Sequence, residues 1–132
     1  MTDGFRFHHL GILTSSLIKT RASYSSLGID FGSCINDPRQ RVSLAFSVAS
    51  SPLIELVEPW PEGKVANLLQ SRGVGPYHTC YEVESIAHAA SVLRRSRWMC
   101  VTNETPAVAF GNRNVAFFVN PHCGIIELLE AE

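Results

Sequence analysis

The chain has no CxxC pair, no long apolar run and almost no net charge. Its four cysteines, Cys34, Cys80, Cys100 and Cys123, are scattered. That excludes a zinc knuckle or a dense disulfide framework and fits free thiols in a reducing cytoplasm. No segment reaches the ~18 unbroken apolar residues of a membrane span. Met1 to His8 lacks a basic stretch followed by an apolar core, so no secretory leader is expected. A formal net charge of −1 advertises neither a nucleic-acid nor an anionic-membrane partner. Gly73-Val74-Gly75 is no phosphate loop, because no Lys-Ser/Thr follows it. Charged residues are scarce at 17%, against 45% hydrophobic. That balance excludes disorder, and 132 residues suffice for one ordinary domain or two small modules sharing a core.

The apolar pattern alternates between strand-like and helix-like stretches. Phe5 to Leu13 reads as a strand with Phe7, His9, Gly11 and Leu13 on one face. Ser15 and Ser16 are N-cap residues for a helix whose face is Leu17, Ile18, Tyr24 and Leu27, stopped at Gly28. Three short strands follow, near Asp30 to Cys34, Val42 to Ala49 and Leu53 to Glu58. A connector, 59–76, carries a short helix from Lys64 to Arg72, ended by Gly73. The pattern then restarts. Tyr77 to Val83 is a strand, and Ser85 caps a helix with Ile86, Ala89, Ala90 and Leu93 on one face. Strands near Trp98 to Thr102, Asn114 to Val119 and Ile125 to Leu129 complete it. The expectation is an α+β domain over 1–132, built from two βαβββ modules (5–58 and 77–130) in tandem.

The two halves lie over one another. His9 precedes Ile54-Glu55-Leu56-Val57-Glu58 much as His78 precedes Ile126-Glu127-Leu128-Leu129-Glu130. Each half has His in its first strand and Glu in its last, an internal duplication with a period of about 70 residues. Each glutamate is flanked by apolar residues. A carboxylate in such a setting costs several kcal/mol to bury unless it is paired or bound to a cation. Taken singly, each glutamate reads as an exposed residue or an Arg partner, and each histidine as a hydrogen-bonded core imidazole. Taken jointly, the matched pairs point to metal: if the modules pack about a pseudo-twofold axis, all four side chains converge. Imidazole and carboxylate suit a divalent first-row ion, here Co, Ni, Zn, Mn or Fe. Four ligands on an octahedral ion leave two adjacent positions, where a substrate with two neighbouring oxygens chelates and is polarised. Cys80 shares the face of His78 but reads first as a small buried residue. His8 points away from His9, His88 and His122 read as surface residues, and Arg113 reads as a solvated charge near the open end, with an anionic substrate as its other reading.

The residues resemble the vicinal oxygen chelate (glyoxalase/bleomycin-resistance) superfamily, and within it the methylmalonyl-CoA epimerase-like members. His8-His9-Leu10-Gly11-Ile12 resembles that branch's opening strand. Val65-Ala66-Asn67-Leu68-Leu69, Gly75-Pro76-Tyr77-His78 and Glu82-Val83 resemble its connector and second metal strand. Glu104-Thr105-Pro106, Val115-Ala116-Phe117, Asn120-Pro121 and Gly124-Ile125-Ile126-Glu127-Leu128 resemble its last third. The resemblance implies that the two modules form a curved mixed sheet around a metal cup, with His9, Glu55, His78 and Glu127 as metal ligands, one divalent ion, a small-molecule substrate and a homodimer. The epimerase branch also places an acid before the third strand of the first module. In residues 32–41 the only carboxylate is Asp37.

The expected activity is a metal-dependent isomerase, epimerase or lyase. It acts on a carbonyl compound such as an acyl-CoA, with Glu127 as proton carrier and Glu55 or Asp37 as second candidate. The competing reading is a non-catalytic binding or resistance protein of the same fold. A dioxygenase ranks below both, since Glu55 as fourth ligand takes a position oxygen chemistry needs open.

Overall fold

The computed structural model describes residues 4–132; the start of the stretch read for a leader, residues 1–3, lies outside the described residues. The chain divides into two compact units, one His9–Tyr77 and the other His78–Glu132 together with residues 4–8.

The first unit contains most of β1 (Arg6–Leu13), then α1 (Leu17–Ser25), β2 (Asp30–Phe31), β3 (Ile35–Asp37), β4 (Val42–Val48), β5 (Ile54–Pro59) and α2 (Lys64–Arg72). Its strands run in the order β2, β4, β5, β1, with β3 also on β4. β1 is parallel to β5, as a strand–helix–strand crossover requires, and β4 is antiparallel to β5. Ile12, Leu17, Phe31, Ala45, Ile54 and Leu56 form the core beneath α1. Of the strand expected over Asp30 to Cys34 only β2 forms, and β3, which was not expected, follows it. Between the Phe31–Ser47 and Ile35–Leu44 pairs there is one residue more on this side than on β4, so the ladder breaks.

The expected apolar face of α1 is only partly buried. Leu17 is in the core and Tyr24 packs on it, but Ile18 is 82% and Leu27 70% exposed. Ile18 is a ~100° step around the helix from Leu17, and Leu27 lies beyond the helix end at Ser25. Polar contacts hold this helix instead. Ser16 Oγ accepts the Lys19 N–H at 3.2 Å, and Glu58 Oε1 accepts the Leu17 N–H at 2.7 Å. Arg21 donates to the carbonyls of Phe31 and Gly32. α2 ends as expected, the Gly73 N–H bonding Leu69 O.

The second unit contains the larger part of β6 (Gly75–Val83), then α3 (Ile86–Arg95), β7 (Met99–Ala107), β8 (Arg113–Asn120) and β9 (Gly124–Glu130), in the sheet order β6, β9, β8, β7. Again the first and last strands, β6 and β9, are parallel, and the others antiparallel. Ser85 Oγ accepts the His88 N–H, and α3 buries the four residues its periodicity marks: Ile86, Ala89, Ala90 and Leu93. They pack on Val83, Ala116, Phe118, Ile126 and Leu128. β7 runs past the expected Thr102 because two register shifts absorb the irregular segment. There Thr102 Oγ1 accepts the N–H of Phe117, its register partner. The α+β class with mixed strand pairing is thus as expected. No helix among the described residues is long and apolar enough to cross a membrane.

Candidate metal centre

The two-residue period of a strand sorts each sheet into a helix side and an opposite side. In β5, Ile54 and Leu56 turn to the core under α1, so Glu55 and Val57 turn the other way. In β1, Leu10 and Ile12 face that core, which places His9, Gly11 and Leu13 with Glu55. Gly11 is the register partner of Glu55. With no side chain there, the space beside the carboxylate is left to His9, two residues back on the same face. His9 Nε2 stands 3.2 Å from Glu55 Oε1, and both residues are buried, His9 completely.

The second unit repeats this. In β9, Ile126 and Leu128 pack under α3, while Glu127 and Leu129 face away. Cys80 is the register partner of Glu127, and His78 lies two residues before it. His78 Nε2 stands 3.2 Å from Glu127 Oε1, both again buried. Cys80 therefore occupies the place of Gly11: a fully buried small residue packed with Ala107, Val115 and Leu129. All four cysteines are free thiols.

Each unit thus holds one buried imidazole against one buried carboxylate. Neither group tolerates burial without a partner of opposite character. Each pair offers one nitrogen and one oxygen, donor types that suit a divalent first-row ion.

Other residues singled out in the sequence have plainer surroundings. Asp37, the last residue of β3, is fully buried; its Oδ1 accepts the N–H groups of Arg39 (3.0 Å) and Gln40 (3.2 Å) in the turn that follows, and Oδ2 accepts from Gln40 Nε2. Arg113 is not a solvated charge. Its Nη1 donates to Glu82 Oε2 at 2.8 Å, and its guanidinium lies over the Phe110 ring. His8 packs against Phe110 with ring centroids 5.5 Å apart, and His88 and His122 are exposed.

One pair of residues at these sites was not found from the sequence. Phe46 is the antiparallel partner of Glu55, and its ring meets His9 at 5.4 Å. Phe117 is the antiparallel partner of Glu127, and its ring meets His78 at 5.6 Å. The available signal was a phenylalanine at nearly the same distance before each glutamate.

Comparison with known proteins adds an independent line. Residues 8–117 match the family model described as Glyoxalase/Bleomycin resistance protein/Dioxygenase superfamily. The chain is similar to an ethylmalonyl-CoA/methylmalonyl-CoA epimerase of Cereibacter sphaeroides: 29% identical over 115 residues, covering 85% of this chain and 86% of the relative. It is 28% identical over 131 residues to the human mitochondrial methylmalonyl-CoA epimerase, covering 96% of this chain and 74% of that one. Among solved structures, the methylmalonyl-CoA epimerase of Mycobacterium tuberculosis has the same fold. Its TM-score is 0.81 at 22% identity, over 100% of this chain and 93% of that one.

Proposed function

This chain belongs to the glyoxalase/bleomycin resistance protein/dioxygenase superfamily, and within it we propose that the protein is a metal-dependent epimerase acting on an acyl-CoA thioester of the methylmalonyl-CoA type. The observation that carries the reading is the buried His–Glu pair recurring at the same register in both units. The relatives' names supply the substrate class.

In this reading His9, Glu55, His78 and Glu127 together hold one divalent ion. Such an ion supplies Lewis-acid stabilisation of negative charge developing on two neighbouring substrate oxygens. Epimerisation removes a proton from the α-carbon on one face and returns one on the other, so it needs an acid/base on each side. Glu127 is the first of these. For the second, Asp37 is the weaker candidate, since three hydrogen bonds from its own turn occupy its carboxylate. Glu55 remains as the carboxylate of the first unit that takes the role.

The test is elemental analysis of the native protein beside a His78→Ala control, followed by solvent-deuterium incorporation into methylmalonyl-CoA. The expected result is roughly one ion per chain, lost in the control, and deuterium at the α-carbon, with epimerisation abolished by Glu127→Gln and by Glu55→Gln. Protein that takes up no ion after reloading with Co²⁺, Ni²⁺, Zn²⁺ or Mn²⁺ would put a ligand-binding module in its place. Metal without exchange on any acyl-CoA or hemithioacetal would sink the epimerase assignment while leaving the metal.

A further inference from the structure

The two aromatic neighbours of the histidines repeat as faithfully as the histidines do. In the first unit, Phe46 of β4 lies across the ladder from Glu55, and its ring stands at 80° to His9. In the second, Phe117 of β8 lies across from Glu127, and its ring stands at 86° to His78. Each unit therefore carries the same triad: histidine on the first strand, glutamate on the last, and phenylalanine on the strand antiparallel to it.

We infer that Phe46 and Phe117 are positioning residues of the metal centre, each holding the imidazole of its own unit so that Nε2 faces the paired carboxylate. The inference rests on the metal reading above. An imidazole's outer torsion is broad and roughly two-fold, so the torsion itself does not set which way the ring faces and its packing neighbours must. A phenyl ring set nearly perpendicular at van der Waals distance removes that freedom, since edge-to-face is a preferred aromatic geometry. Phe118, on the other face of β8, fills the core at 1% exposure, whereas Phe46 and Phe117 are only partly buried, Phe117 packing also on the cluster of Cys80, Ala107, Val115 and Leu129. Residues that orient a metal-binding histidine typically matter 10–100-fold in affinity.

The experiment uses the whole chain stripped of metal and titrated with Co²⁺, reading the dissociation constant, the visible d–d band and the melting of the metal-free protein. Phe46→Leu and Phe117→Leu are expected to weaken Co²⁺ binding by roughly 10–100-fold and to change the d–d band, with melting of the metal-free form nearly kept. Phe46→Tyr and Phe117→Tyr, which keep the ring, are expected to restore the wild-type band. If a leucine variant does not fold, Phe46→Met and Phe117→Met carry the same readouts. Leucine or methionine variants with wild-type affinity and band overturn the inference, even where melting falls, because the rings then serve packing alone. Wild-type protein that binds no Co²⁺ overturns the metal reading itself and this inference with it.

Discussion

Arg113 Nη1 donates to Glu82 Oε2 across 2.8 Å, joining the first residue of β8 to the far end of β6. The same guanidinium reaches the carbonyls of Phe110 and Glu130, so one side chain ties together the 3₁₀ turn at Val108–Phe110, β6, β8 and β9. The Arg113 hydrogen bond is the main cause holding the Glu82 carboxyl below its ordinary 4.5; burial opposes it, and the charges of Arg6 and Arg113 add to it. A carboxyl depressed in the folded state contributes stability that is present above the unfolded value and lost as pH falls through the folded one. Arg113→Gln is therefore expected to cost about 1 kcal/mol at neutral pH. The gap from wild type should close as pH drops below 4.5. Urea unfolding across a pH series measures this; a gap that stays constant down to strongly acid pH would assign the loss to packing.

Glu58 gives a second prediction. It follows Glu55 in β5 but points to the helix side, where its Oε1 accepts the first N–H of α1 from Leu17. A carboxylate at a helix N-terminus satisfies an orphan donor and meets the positive end of the dipole. Glu58→Ala is expected to lower stability by about 1–2 kcal/mol, and Glu58→Gln, which keeps an acceptor, by less. The metal content of both variants should equal that of wild type. Loss of metal in Glu58→Gln would show that the wrong glutamate of the Glu55/Glu58 pair has been taken as ligand.

Asp37 separates a turn residue from an acid/base. Its carboxylate closes the β3–β4 turn through backbone N–H groups. Asp37→Asn keeps the Oδ1 acceptor and is expected to retain the rate of deuterium exchange. Asp37→Ala removes the acceptor of these partly buried donors and should cost about 1 kcal/mol. A well-folded Asp37→Asn protein with exchange reduced a hundredfold or more would move the second proton-transfer role from Glu55 to Asp37.

Local rules account for what was legible beforehand. Helix α3 could be read to the residue because four apolar side chains at helical spacing have only one way to share a face. Glu55 and Glu127 stood out because each is a carboxylate in an otherwise apolar strand, and the duplication tied each to a histidine. The apolar face of α1 misled because its anchors are Ser16, Glu58 and Arg21, whose partners are backbone groups with no side-chain signature.

By itself, the sequence determined the repeated module, its α+β class and the two His–Glu pairs, since strand and helix periods are written in the chain's own spacing. Only the tertiary structure decided that Phe46 lies against His9, Phe117 against His78 and Arg113 against Glu82. Those neighbours depend on how distant segments come together: strand register sets Phe46 and Phe117 opposite the glutamates, and the fold brings Arg113 to Glu82. A shift of one residue in register turns every side chain of a strand to the other face.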